Sequence, residues 1–128
     1  MKIVVLIVRL LLGLVFFVFG LNGFLNFIPA PPIPGLAGQF LGAMMQSHFV
    51  LFVAGVQVIV GVLLLVNRFV PFALALLAPV LANILVFHLT MQPSGLPPGI
   101  FATVLWAVLA WRLRAYFGPL FVQKAEEK

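Results

Sequence analysis

Apolar residues in this chain come in long, nearly unbroken runs, not in the alternation of a half-buried strand or the one-sided stripe of a soluble helix. Four runs approach the roughly 20 residues needed to cross the hydrocarbon of a bilayer. They cover about 3–25, 47–66, 69–91 and 99–117. Each predicts a membrane-spanning helix, so the fold expected is all-α, a polytopic membrane protein built as a four-transmembrane-helix bundle. Asn67 and Arg68 form a tight turn, residues 92–98 a loop rich in Pro and Gly, and residues 118–128 a tail. Little polar sequence is left over, so residues 1–128 are read as a single transmembrane domain. The first run is too long for a cleaved leader and is interrupted by Arg9, so it is expected to stay as a helix.

The outer connection, residues 26–46, has a pattern of its own. Pro29, Pro31, Pro32 and Pro34 make a stiff extended run with few backbone donors, and Leu36, Phe40, Leu41, Met44 and Met45 then fall at helix-face positions. That stretch is too short to span. It predicts a short interfacial or re-entrant helix in the first outer loop, acting either as a lid over a cavity or as an anchor in the membrane surface. Small residues mark where helices could approach closely: Gly13, Gly20 and Gly23 on the first span, and Ala75, Ala78 and Ala82 on the third.

Composition turns this pattern into exclusions. The chain is 65% hydrophobic and 7% charged, against about a quarter charged in soluble domains, which excludes a soluble enzyme, a nucleic-acid module and a disordered linker. Its mean hydropathy is +1.31. The net charge of +5 has to be read by position. Lys2, Arg9, Arg68, Arg112, Arg114, Lys124 and Lys128 all fall on one side once four spans alternate. The positive-inside rule then expects both termini in the cytoplasm and the chain as a multi-pass protein of a bacterial-type cytoplasmic (inner) membrane. With no Cys there are no disulfides, thiolate nucleophiles or thiolate-held clusters. No Ser, His and acid trio, intramembrane carboxylate pair or phosphate-binding Gly loop is found. No catalytic or metal-ligating residue is therefore assigned, and the chain is not expected to turn over a substrate alone.

Polar groups inside a bilayer are costly, and each is a candidate site. Counted from the cytoplasmic ends of their own spans, Arg9 and Gln57 differ in depth by about 4 to 5 Å. Arg9 thus either packs against Gln57 or extends its side chain to the headgroups. Asn83 lies one turn after Pro79, which cannot donate to the carbonyl of Ala75. The two together either open a small polar pocket or satisfy a kink. His48 and His88 fall near the outer ends of adjacent spans, where a shared metal or haem competes with ordinary interfacial histidines and no Cys or acid completes a site. The candidate ligand-binding residues are Asn83, His88, Gln57 and Arg9, and the candidate lining of an outer mouth is Asn22, Asn26 and His48.

Three stretches carry a resemblance. The first span has Arg9 and Gly13, then Phe19, Gly20, Asn22, Gly23 and Phe24; the second has Gly55, Gln57 and Gly61; the third has Pro79, Asn83 and His88. In this pattern the chain resembles the DoxX family of small four-helix membrane proteins, from Met1 to about Phe117. The resemblance implies the fold, and it implies association with quinol-oxidising, sulfur-oxidising or thiol-redox membrane assemblies. The family commonly has an acidic residue where this chain has Gln57, so a proton-linked role loses its titratable carboxylate. The function expected is an accessory subunit of a redox or respiratory membrane complex that presents a quinone or another hydrophobic molecule. The alternative is a structural or assembly subunit with no ligand, and a quinone- or lipid-handling enzyme is a third reading that needs a cofactor. No intrinsic cofactor is expected, a quinone being the one candidate. The expected partners are the lipid bilayer and other membrane subunits, not nucleic acid.

Overall fold

The computed structural model describes residues 2–28 and 32–127, so Pro29 and Pro31 of the proline-rich run lie outside the described residues. Among those described, every regular element is helical: α1 (Lys2–Leu25), α2 (Gly35–Gln46), α3 (Phe49–Val66), α4 (Val70–Thr90) and α5 (Leu96–Arg112). Four segments are long and apolar enough to cross a membrane: α1, α3, α4, and α5 together with the 3-10 turn that precedes it. They close into a ring in which α1 and α4 each pack against both α3 and α5.

The α1–α3 pair is the most extensive interface, and glycine is the reason. Gly13 sits against Leu64 and the carbonyl of Gly61, Gly20 against Val58 and the carbonyl of Ala54, and Gly23 against Ala54. Positions descend on α3 as they rise on α1, so the two helices run antiparallel. A Cβ built at Gly61 would come 2.5 Å from the backbone nitrogen of Phe17, which shows how nearly the backbones touch. In lipid, such close packing substitutes for the hydrophobic drive that water would supply.

The alanine stripe of the third span does not pack this way: Ala75 and Ala82 are exposed. The buried face of α4 is Val70, Ala73, Leu74, Leu77 and Leu81, because larger side chains are needed to fill the space between α3 and α5. The indole of Trp106 on α5 reaches across to α4 and donates to the carbonyl of Leu74 at 2.9 Å.

Leu12, Val60, Leu64, Leu74, Leu77 and Leu109 are the largest fully buried side chains. On α3 and α4 the sizeable buried residues lie between Val60 and Leu81, in the half of the bundle nearer the α3–α4 turn. Lys2, Arg9, Arg68, Arg112 and Arg114 gather at that same end, hereafter the basic end. Toward the far end α3 buries only Ala54 and α4 buries nothing past Leu81, so these two helices part there.

The short outer helix is present as α2 and packs against α3 at the far end, with Ala37 buried. Gly38 is required where it stands, because a Cβ there would fall on the carbonyl of Ile33. The chain turns from α2 into α3 at His48, whose φ of 65° lies in the left-handed region. The second span therefore begins at Phe49 and not at 47. The last span begins earlier than its pattern suggests, because Pro97 and Pro98 sit in the first turn of α5, where a missing N–H breaks no helical bond. It also ends earlier, at Arg112, and 3-10 turns over Arg114–Tyr116 and Gly118–Phe121 carry the chain on.

Candidate functional site

Where α3 and α4 separate, α2 closes over the gap and leaves a cavity of about 560 Å³. Phe40 and Met44 come from α2, Phe52 and Val56 from α3, and Val80 and Phe87 from α4. The rings of Phe40 and Phe87 lie 5.4 Å apart and tie α2 to α4. Into this apolar volume the helices bring three polar side chains: Gln57, Asn83 and His88. Three of the four ligand-binding candidates thus line one cavity.

His88 is the most firmly held of the three. Its Nδ1 lies 3.2 Å from the carbonyl oxygen of Gln92. A carbonyl only accepts, so this bond places a proton on Nδ1 and leaves Nε2 of the neutral ring as an acceptor. The neighbouring turn also crowds the ring: a Cβ at Gly95 would stand 2.5 Å from Cε1 of the imidazole. Phe87 meets it edge-on at 5.1 Å.

Asn83 donates through Nδ2 to the carbonyl of Pro79 at 2.8 Å. It therefore bonds the carbonyl one turn back, not that of Ala75, which Pro79 deprives of its helical donor. One N–H and the Oδ1 of the amide remain for the cavity. Gln57, half-buried on α3, adds a second amide able both to donate and to accept.

Arg9 does not join them. Its Nη1 donates to the carbonyl of Leu64, and to that of Leu65 at 3.3 Å, at the C-terminal end of α3. The register of the α1–α3 interface puts Gln57 level with about Gly20, some 11 residues or about 16 Å of helix rise from Arg9. Counting depth from each helix's own end failed because the first turns of α1 project past the α3–α4 turn. Arg9 therefore does not contact Gln57, and its Nη1 closes a helix end.

The residues read as an outer-mouth lining serve the chain's corners. Asn26 ends α1 in the left-handed region at φ 52° and donates its N–H to the carbonyl of Asn22 at 2.8 Å. The Oδ1 of Asn22 accepts from the N–H of Ile28 at 2.8 Å. Asn tolerates this conformation better than other residues with a side chain, so the pair terminates the helix. His48 is exposed at the α2–α3 corner and is not among the cavity's walls, so the two histidines do not converge on it. Among the described residues no group of three or more His, Asp or Glu could hold a metal. Phe40 and Met44 stand on the face expected of the short outer helix, whereas Phe52, Val56, Val80 and Phe87 escaped the sequence reading, since an apolar residue on an apolar helix gives no sign that it faces a void.

Comparison with known proteins places the architecture. Among curated proteins and solved structures no match was found. The family model described as DoxX matches residues 4–90, from the first turn of α1 to the end of α4, which takes in every wall of the cavity and stops before α5. With more than half of its length matched and four helices able to span a bilayer, the chain belongs to the DoxX family and is a multi-pass membrane protein.

Proposed function

We propose that the cavity between α2, α3 and α4 binds a lipid-soluble molecule with a small polar head, of which a quinone or quinol is the best fit. The chain would then act as an accessory subunit, presenting that molecule to a redox or respiratory complex in a bacterial-type inner membrane. The observation that carries this reading is the cavity itself. Its volume falls within the roughly 300 to 1,000 Å³ of small-molecule sites, and it sets a few polar groups among apolar walls. Gln57, Asn83 and His88 would address the oxygens of the head, while Phe40, Phe52, Val56 and Phe87 would surround the ring. A tail could leave between α3 and α4 toward lipid. No side chain here supplies redox chemistry, so electrons would pass in the partner complex and this chain would bind and orient.

Mild detergent extraction followed by mass spectrometry of bound quinones and co-purifying proteins tests the reading. The wild type is expected to retain quinone, and Gln57→Leu and Asn83→Leu to retain much less with unchanged thermal stability. Equal retention by all three proteins would dismiss the cavity as the site and return the chain to a purely structural or assembly role.

A further inference from the structure

A second cavity, of about 490 Å³, lies at the basic end, between the first turns of α1, the α3–α4 turn and the end of α5. Its polar lining is Lys2, Arg9, Asn67 and Tyr116. Lys2 and Arg9 are seven residues apart, which returns them to the same face of α1 about 10 Å apart along its axis. Beside them the cleft is walled by apolar side chains, of which Leu6 and Phe69 are exposed while Val70 and Leu109 belong to the packed core.

The charge balance of this cleft is incomplete within the chain. The only acids in the sequence are Glu126 and Glu127, in the tail, and neither lines the cleft. Arg9 is half-buried, and the contacts it makes run from Nη1 to the carbonyls of Leu64 and Leu65. Those bonds satisfy donors but supply no full negative charge, and the Nε and Nη2 donors of the fork remain to be served. A half-buried cation in a cleft that no described carboxylate lines calls for an anion from outside the chain.

From these observations we propose that the cleft binds the headgroup of one anionic phospholipid. The phosphate lies between Lys2 and Arg9, accepts from the Tyr116 hydroxyl and the Asn67 amide, and lets an acyl chain lie against the exposed side chains of Leu6 and Phe69. The layout matches a lipid more closely than a free anion, since exposed apolar side chains adjoin the cationic and neutral donors in one cleft. It also favours a net negative headgroup, because the ammonium of a zwitterionic lipid would be repelled by Lys2 and Arg9. This site stands apart from the quinone reading, at the opposite end of the bundle.

Native mass spectrometry of the detergent-purified full chain, titrated with phosphatidylglycerol and with phosphatidylcholine of the same acyl composition, tests the site. Phosphatidylglycerol is expected to bind more tightly. Lys2→Gln, a change at an exposed position, is expected to weaken it about fivefold without moving phosphatidylcholine. Lys124→Gln, which removes the same charge from the tail, is expected to leave it unchanged. Equal binding of the two lipids, or equal loss in both variants, would overturn the proposal in favour of diffuse attraction by net charge. Full displacement of the lipid by millimolar glycerol 3-phosphate would overturn it in favour of a small-anion site.

Discussion

Arg9 on α1 donates through Nη1 to the carbonyl of Leu64 on α3, so a side chain from one helix satisfies the unpaired C-terminal end of its neighbour. The last carbonyls of a helix carry partial negative charge and have no partner within it, and a cation there is favourable on both counts. Arg9 also reaches Leu65, so one guanidinium nitrogen spans two successive carbonyls.

Removing that group is expected to loosen the α1–α3 pair. Arg9→Ala should lower stability in detergent by about 1.5 to 3 kcal/mol, the range for a hydrogen bond made by a charged group. Arg9→Lys should recover only part of it, since an ammonium is more strongly hydrated than a guanidinium and loses more on leaving water. A double-mutant cycle between Arg9 and Gln57, read by thermal unfolding, should show no coupling. Coupling above about 0.5 kcal/mol would place the two in contact and refute the register described above.

The contrast between Arg9 and Gly13 shows what the sequence could carry. The spacing of Gly13, Gly20 and Gly23 marks a face, and the structure puts α3 on that face. The partner of Arg9 is a main-chain carbonyl, which every residue possesses, so no residue type could announce it. The four spans were legible from apolar run length because the bilayer imposes that length. Their ends were less so, because Pro97 and Pro98 read as loop residues although the first turn of a helix accepts them. Gln57, Asn83 and His88 stood out as costly intramembrane polar groups, and the structure brings them to one cavity. A lid over a cavity was one of two readings of the short outer helix, but the walls were not legible, since they depend on α3 and α4 diverging past Val60 and Leu81, a property of helix packing and not of any local run.

The glycine contact makes a steric prediction. Gly61→Leu would drive a side chain into the backbone of Phe17, whose nitrogen stands 2.5 Å from the position of a new Cβ. A flexible side chain could move aside, but a helix backbone cannot without separating α1 from α3. The expected loss is at the upper part of the roughly 1 to 3 kcal/mol seen for overpacked cores, read as a lower unfolding temperature in detergent. Gly42→Leu is the control, because a Cβ there meets nothing within 4 Å, and it should unfold as the wild type does. Equal stability of the two variants would contradict the close approach.

Charge distribution makes a topological prediction. Lys2, Arg68, Arg112 and Arg114 share one end of the bundle, and the positive-inside rule assigns that end to the cytoplasm. Exposed Gln39 and Ser94 serve as probes of the far end, and exposed Gln123 serves for the tail. An impermeant thiol reagent added to intact cells is expected to label Gln39→Cys and Ser94→Cys, and to label Gln123→Cys only after permeabilisation. Labelling of the tail alone in intact cells would invert the orientation.

The tautomer of His88 makes a chemical prediction for the proposed ligand. With Nδ1 bonded to the Gln92 carbonyl, Nε2 of the neutral ring can accept but not donate. A quinone head offers only acceptors, whereas a quinol head offers two hydroxyl donors. Nε2 therefore pairs with the reduced form and leaves the oxidised form without a partner at that oxygen. One such bond, made or left unmade in an apolar site, is worth about 1 to 3 kcal/mol, so the quinol should bind roughly five- to 150-fold more tightly. Equilibrium dialysis of a short-tailed quinone in its oxidised and dithionite-reduced forms measures that ratio. His88→Leu is expected to bring the two affinities together by weakening the quinol, while His88→Gln, which can both accept and donate, should keep the quinol and improve the quinone. A wild-type protein that binds both forms equally, or a His88→Leu variant that keeps the full preference, would remove His88 from the ligand's contacts.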